Sequence, residues 1–218
     1  MSSFPGSPQL LKAGVVQIDP QTARIVSVVA LQYNPETVTR SLQPQRIEAS
    51  GNRSEVLRLT GPPIETIRFT AEIDAADRLE FPGNNSDAVE SGVQPQLAAL
   101  EALVYPTSGE LQASHESALA GTLEIAPAEA PLALLVWSVN RVLPVQLAGF
   151  SITEQAFDPS LNPIRATVDL EFRVLTVADL GFSHKGGSLY MAYHQQKERL
   201  AGKGRGGSLR TLGLGGIP

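Results

Sequence analysis

The residues that could do chemistry in this chain are few, and their spacing matches no known site. The three histidines, His115, His184 and His194, have no metal-ligand spacing to one another. Asp74 and Asp77 could form an acid–base pair, but turn formation after a predicted strand explains them more simply. The chain has no cysteine, which excludes thiolate nucleophiles, thiolate metal ligands and disulfides. We therefore expect no enzymatic activity, no metal and no cofactor.

Two motifs near the C-terminus are also interpreted without a ligand. Residues 202–207 have the glycine spacing of a dinucleotide-binding loop, but they follow a predicted helix and precede none, which is the wrong context. The same region carries five basic residues with Glu198 as the only acid among them: Lys197, Arg199, Lys203, Arg205 and Arg210. This basic segment fits either contact with an acidic partner surface or simple solvation.

Composition favours a globular chain and argues against nucleic acid as its main partner. Of the 218 residues, 42% are hydrophobic and 18% are charged, which permits a buried core and argues against global disorder. The net charge of −5 argues against nucleic acid as the main partner. The start of the chain shows no basic leader, and no apolar run approaches the length of a bilayer span. We expect a cytoplasmic protein that does not insert into membranes.

The most informative stretch is residues 161–177, because polar and apolar side chains alternate along it. One face is apolar and comprises Ile164, Ala166, Val168, Leu170, Phe172 and Val174. The other face is polar and comprises Arg165, Thr167, Asp169, Glu171 and Arg173. This period of two predicts a β-strand of about eleven residues, about 36 Å long, with one dry and one wet face. The wet face suits water, a water-filled lumen or a polar partner.

The remaining elements supply partners for this strand. Further strands are predicted at 13–18, 24–31, 37–42, 64–73, 132–138 and 141–157, with 24–31 covered on both faces and Trp137 as a core anchor. Helices are predicted at 95–104 and at 189–200, the latter between a Ser188 cap and Gly202. We interpret 43–53, 74–91 and 107–130 as loops, Gly186 and Gly187 as loosening the chain, and 204–218 as flexible. The last two strands should form an antiparallel hairpin.

Three stretches resemble the tube proteins of contractile injection systems, which have phage tail-tube-like domains. These stretches are Leu31 to Arg40 with its Tyr-Asn-Pro, Pro131 to Trp137, and Phe157 to Val174, where Asn162-Pro163 leads into the long strand. The resemblance covers roughly residues 13–201. It implies a mainly β fold with minor α: an antiparallel β-sandwich or half-barrel with one flanking helix, a long C-terminal β-hairpin and a C-terminal helix. Many relatives carry a LysM module after this domain; we expect none here, because a predicted helix and a glycine-rich tail follow the domain instead.

The resemblance also implies an organisation and a role. A flexible arm (1–12) would precede the tail-tube-like β domain (13–180), followed by a C-terminal helix and glycine-rich tail (181–218). The hairpin would join copies into a ring, so that Arg165, Thr167, Asp169, Glu171 and Arg173 face a lumen or a neighbouring subunit. The chain would then be a tube adaptor or initiator where the inner tube meets the baseplate and spike.

Partners would be six copies of the chain together with tube, spike and baseplate proteins, in a particle assembled in the cytoplasm and released from the cell. Three alternatives remain open. The chain could be the main inner tube subunit of the same machine. It could be a stand-alone β-sandwich module that binds a carbohydrate or a peptide. It could be a small hydrolase with a dispersed site, for which the sequence offers no positive feature.

Overall fold

Seven antiparallel strands form one sheet in the structure, a computed structural model that describes residues 10–46, 58–119, 130–204 and 207–217. The strands are β1 (Gly14–Ile18), β2 (Ile25–Ala30), β3 (Thr39–Gln43), β4 (Ile64–Asp74), β5 (Leu132–Ser138), β6 (Arg141–Phe157) and β7 (Pro163–Val174). Their order across the sheet is β2-β1-β5-β6-β7-β4-β3. The mainly β, antiparallel fold class is confirmed.

The described helices are α1 (Ala76–Leu79), α2 (Ser86–Ser91), α3 (Gln94–Glu101), α4 (Ser108–Leu119), α5 (Val177–Leu180) and α6 (Lys185–Lys203). Short 3-10 turns occur at Pro82–Asn84 and Leu209–Leu212. The prediction of one flanking helix is therefore too low, although helix α3 lies where that helix was predicted. Residues 1–9 of the predicted arm and most of the predicted loop at 43–53 fall outside the described residues.

The long hairpin of β6 and β7 is confirmed and forms the centre of the sheet. The two strands pair from Val145 opposite Val174 to Phe157 opposite Pro163, with a bulge between Leu147 and Gly149. Strand β4 pairs along the other side of β7, while β5 pairs only with the first part of β6, as far as Val145. Beyond that point, no described strand pairs with the outer edge of β6.

The core lies between the apolar face of this sheet and the helices that cover it. Strands β1, β5, β6, β7 and β4 share one cluster of buried side chains with α3 and α6, including Leu135, Leu143 and Phe172. Phe69 stacks on Phe172 with ring centroids 5.7 Å apart and contacts Trp137 edge-on at 5.4 Å. Trp137 is thus a partly buried contact of the core, as predicted.

The sheet curls so that the end of β2 approaches the end of β4. The Gln32 amide nitrogen donates to the Asp74 carbonyl at 2.7 Å, and the Asp74 N–H donates to the Gln32 amide oxygen at 3.0 Å. The side-chain amide thereby takes the place of a peptide group in a β-bridge. A small apolar cavity of about 180 Å³ remains between these strand ends and α3. The curled sheet corresponds to the predicted half-barrel.

The prediction that residues 24–31 form a strand covered on both faces is wrong about the covering. The strand exists as β2, but it is the last strand at one side of the sheet. Ile25, Val26 and Val28 are 66%, 57% and 61% exposed. An apolar, β-branched sequence indicates a strand, but it does not indicate what lies on each face.

Two predicted loops contain helices. Residues 74–91 hold α1 and α2, and residues 108–119 form α4, while 120–129 fall outside the described residues. Helix α4 begins with a capping box: the Thr107 N–H donates to the Glu110 carboxylate at 2.7 Å, and the Glu110 N–H donates to the Thr107 hydroxyl at 3.2 Å. This Thr-x-x-Glu pattern is visible in the sequence, but the segment was predicted to be a loop.

The C-terminal helix is confirmed but starts earlier than predicted. His184 caps α6 by accepting a hydrogen bond from the Gly186 N–H at 3.1 Å, so Ser188 lies inside the helix. Gly186 and Gly187 do not loosen the chain; a Cβ at Gly187 would lie 1.9 Å from the Gly181 carbonyl oxygen. Close packing against the end of α5 therefore requires glycine there. Gly202 lies within α6, and the cap falls on Gly204. Part of the predicted flexible tail is a 3-10 turn, Leu209–Leu212, capped by Ser208.

Candidate functional site

The predicted wet face of β7 continues across four strands. The register places the five polar residues of β7 beside polar residues of β4 on one side and of β6 on the other. Strand β3 extends the face beyond β4. We call the resulting surface the polar face; besides the five residues of β7 it includes Thr39, Ser41, Thr66, Arg68, Thr70, Glu72, Asp74, Gln146, Ser151, Thr153 and Gln155.

Ion pairs join neighbouring strands of the polar face. Arg165 Nε lies 2.8 Å from Asp74 Oδ2, and an Arg68 guanidinium nitrogen lies 2.7 Å from Glu171 Oε1. Asp169 accepts a hydrogen bond from the Thr70 hydroxyl at 2.5 Å. The hydrogen bond to Glu171 raises the pKa of Arg68. Such exposed pairs contribute little to stability, but they leave a surface of hydroxyls and largely neutralised charge, to which Glu72 and Asp169 add a small negative excess.

Arg173 and Thr167, the other two predicted site residues, do not pair with charged groups of the polar face. Arg173 is drawn to the edge of the face by Asp179, whose carboxylate oxygen lies 2.5 Å from its guanidinium. Thr167 stands opposite Glu72 on β4 and Thr153 on β6. Near the β6 bulge, Gly149 lies against the Glu171 side chain, and an open depression forms between the strands. Its side chains are mainly hydroxyls and paired charges, so it offers no preformed reactive group.

A buried ionic cluster on the opposite face was not predicted. Glu65 is 2% exposed, and its Oε1 accepts hydrogen bonds from Arg40 at 2.9 and 2.5 Å. Lys197 Nζ lies 3.5 Å from the other carboxylate oxygen and 4.4 Å from the centre of the Tyr193 ring. The Tyr193 hydroxyl lies 3.0 Å from the Arg40 guanidinium. This ionic cluster fixes α6 to β3 and β4 of its own chain.

The electrostatics of the ionic cluster follow from its burial. Burial alone would lower the pKa of Arg40, but the hydrogen bond and charge of Glu65 outweigh it, and the pKa is raised. Burial, and then the negative charge of Glu65, raise the pKa of Tyr193. One feature of the sequence could have indicated this cluster. Glu65 lies two and four positions before Ile67 and Phe69, so its carboxylate is on the apolar face of an otherwise regular strand and needs a buried partner.

The residues first considered for chemistry are not brought together. His115 is exposed on α4, His184 caps α6, and His194 stacks on Tyr190. Asp74 accepts hydrogen bonds from the Ala76 N–H and from Arg165, which is a turn and ion-pair role. Within the described residues, no group of three or more metal-ligating side chains is found.

None of the described helices combines the length and the hydropathy needed to cross a membrane.

Comparison with known proteins gives only weak likenesses. No protein-family model and no curated protein matches the sequence. Two solved structures were matched at 6% identity, each over 74% of this chain and 90% of the other chain. One is the tail of an empty gene transfer agent (GTA) particle with C6 symmetry, at a TM-score of 0.28; the other is the virion of a native GTA particle, at 0.26. Likeness at this level assigns neither a fold nor a function.

Proposed function

We propose that this chain is a non-enzymatic structural subunit of a phage-tail-like contractile injection particle. In this proposal six copies form a ring where the inner tube meets the baseplate and spike, and the chain acts as adaptor or initiator of the tube. The observation that carries the proposal is the polar face: a four-stranded surface of hydroxyls and paired charges built around one long hairpin.

The free edges of the sheet support assembly with further copies. The outer edge of β6 from Gln146 to Phe157 pairs with no described strand, and β2 at the side of the sheet exposes Val26 and Val28. Unprotected edges of this kind favour pairing with another chain. A ring in which β2 of one copy lies beside the outer part of β6 in the next would remove these two edges and leave β3 as the remaining edge strand of the described sheet.

The same ring would direct the polar face towards its lumen. Because Arg165 and Asp74, and likewise Arg68 and Glu171, neutralise each other within one subunit, the lumen would present largely neutralised charge, with a small negative excess from Glu72 and Asp169. A lumen of that kind would hold a passing molecule only weakly, as a conduit requires. The depression is wide open and lacks the enclosed, mainly apolar lining typical of ligand pockets, so the alternative of a stand-alone carbohydrate- or peptide-binding module is the weaker proposal.

Added positive charge on the polar face tests this proposal. We expect Asp169→Lys and Thr167→Lys to prevent particle assembly while the isolated subunit keeps its circular dichroism spectrum and unfolding midpoint. Glu116→Lys, on the exposed face of α4, is the matched control and should assemble normally. Particles would be counted by negative-stain electron microscopy of the native host. Normal numbers of particles from both polar-face variants would refute a lumen or interface role.

A tag on the chain separates the proposed positions within the particle. A tag seen only at one end of sheathed rods would support the adaptor or initiator, and a tag along the whole length would indicate the main inner tube subunit. Purification of the tagged chain without sheath protein, as isolated small particles, would favour the binding module instead.

A further inference from the structure

A cavity lies where the curled end of the sheet meets helix α3. Its volume is about 180 Å³, and it is bounded by the end of β2 with the residues that follow it, the last part of β4, and α3. Leu31, Ala71, Ile73 and Leu100 line it, and each of them is at most 5% exposed. All four also belong to the main cluster of the core. The packed core therefore holds the walls of the cavity in place.

The polar groups around the cavity have partners elsewhere. Both the oxygen and the nitrogen of the Gln32 amide are used by its bridge to the end of β4. The Gln96 amide, in the orientation that satisfies both of its groups, donates to the Val93 carbonyl at 3.1 Å and accepts from Arg78. Glu72 lies on the polar face, where its side chain is exposed. Among the described residues that line the cavity, no buried polar side-chain atom lacks a hydrogen-bond partner.

The lining determines which molecules the cavity can hold. A buried water needs about two to four hydrogen-bond partners, and an apolar cavity of about 150 Å³ that offers none stays dry and binds benzene or xenon. The cavity beside α3 has a similar volume and a mainly apolar lining. A charged ligand would lose its hydration there without gaining an ion pair. The chemical class that fits is an uncharged apolar molecule the size of a single aromatic ring or a short alkyl group.

A small molecule can reach the cavity from the surface. Two of the residues that line it, Val28 and Ala99, are exposed, Val28 at 61%. Entry past them does not require the core to unfold. Residues 1–9, which lie outside the described residues, include one aromatic residue, Phe4. The test below therefore separates binding of a free molecule from occupation of the cavity by this side chain.

We propose that this cavity is a binding site for one small, uncharged apolar molecule. Such a ligand contacts β4 through Ala71 and Ile73, and the segment after β2 through Leu31. These are the two strand ends that the Gln32 bridge already joins, so a bound ligand strengthens the closure of the curled sheet. The site belongs to a single subunit, so this proposal does not depend on the ring or on the particle proposed above.

Benzene is the probe, added to the full-length chain. A ligand that binds only the folded state raises Tm, and at a free benzene concentration about five times its Kd we expect a rise of about 2–4 °C for a chain of this size. The position of the bound ring is measured directly by NMR. Nuclear Overhauser effects should connect the benzene protons to the methyl groups of Leu31, Ile73 and Leu100, which line the cavity.

Filling the cavity should remove the binding. Ala99→Leu adds a larger side chain to the lining from α3, and Ala71→Val does the same from β4. Each should weaken benzene binding at least about tenfold, because the added atoms take the space of the ring. Ala99 is exposed on its helix, so Ala99→Leu tests the site even where the buried Ala71→Val disturbs folding. The matched control is Ala98→Leu, exposed on the same helix but outside the lining, which should bind benzene like the unaltered chain.

Phe4→Ser distinguishes the two possible occupants. Equal binding of benzene to Phe4→Ser and to the unaltered chain would support a site open to a free molecule. Benzene binding to Phe4→Ser alone would show that the chain fills the cavity with its own side chain, and the proposal would be overturned. An equal rise of Tm in Ala98→Leu and Ala99→Leu would also overturn it, as would the absence of both the Tm rise and the Overhauser effects in the unaltered chain.

Discussion

Removal of Glu65 should destabilise the subunit far more than removal of an exposed carboxylate. In Glu65→Ala, the guanidinium of Arg40 and the ammonium of Lys197 lose the carboxylate that both contact. Breaking a buried ion pair by removing one partner costs about 3–5 kcal/mol. Because the Arg40 and Lys197 side chains are 28% and 30% exposed, water can partly replace the carboxylate. We therefore expect a loss near the lower limit, about 3 kcal/mol.

The assay is urea unfolding followed by circular dichroism at pH 7, with thermal unfolding beside it. A loss of about 3 kcal/mol corresponds to a fall in Tm of about 6–12 °C for a chain of this size. The matched control is Glu171→Ala, which removes the carboxylate of an exposed pair with Arg68 and should cost under about 1 kcal/mol.

A double-mutant cycle separates the ion pair from general loss of packing. Arg40→Ala and Glu65→Ala should each destabilise the subunit, and the double variant should cost clearly less than the sum of the two. If Glu65→Ala costs no more than Glu171→Ala, or if the two substitutions add, then Glu65 does not fix α6 to the sheet and the reasoning fails.

Three further predictions concern other features. Gly187→Ala should destabilise α6 by about 2–3 kcal/mol because its Cβ meets the Gly181 carbonyl, whereas Gly202→Ala in the same helix, with open space around it, should stabilise by about 0.5–1 kcal/mol; chemical denaturation measures both. Val26→Lys should reduce self-association in light scattering without lowering Tm, because a lysine protects the β2 edge; unchanged association would contradict this. Burial alone would raise the pKa of Asp179, but hydrogen bonds from Thr176 and the charge and hydrogen bond of Arg173 outweigh it and lower the pKa from 3.8. The ionised carboxylate therefore stabilises the fold above that pH, and the Tm difference between the unaltered chain and Asp179→Asn should be full at pH 7 and vanish as pH falls below 3.8.

The central hairpin could be predicted because its physical signal is local. In β7, apolar residues such as Val168 and Leu170 alternate with polar residues such as Asp169, so one strand alone defines both faces. Its partner β4 has the same pattern. The sequence also indicated that Arg165 to Arg173 share one side, and the register then showed which residues extend that side. Their place in an assembly stays a prediction.

The rest depended on contacts between distant parts of the chain. Nothing near β2 indicates that it lies at the side of the sheet, so its apolar composition suggested burial on both faces. The hydrogen bond from Arg40 to Tyr193 joins residues 153 positions apart, so no local sequence pattern could predict it. Helix α4 is different, because its Thr107–Glu110 capping box was visible and the weak amphipathic pattern after it concealed the helix. Charges paired across strands, such as Arg68 with Glu171, also needed the register.

The ionic cluster at Glu65 has a consequence for the order in which the chain folds. The β6–β7 hairpin needs only neighbouring sequence, so it can form early, and β4 can then pair with it. The contact of Lys197 with Glu65 needs α6, which is made long after β3 and β4. Until then, the apolar side of β3 and β4 lacks its covering helix. The nascent chain therefore carries exposed apolar surface until α6 has been made, which is the interval in which chaperones act and premature association is most damaging.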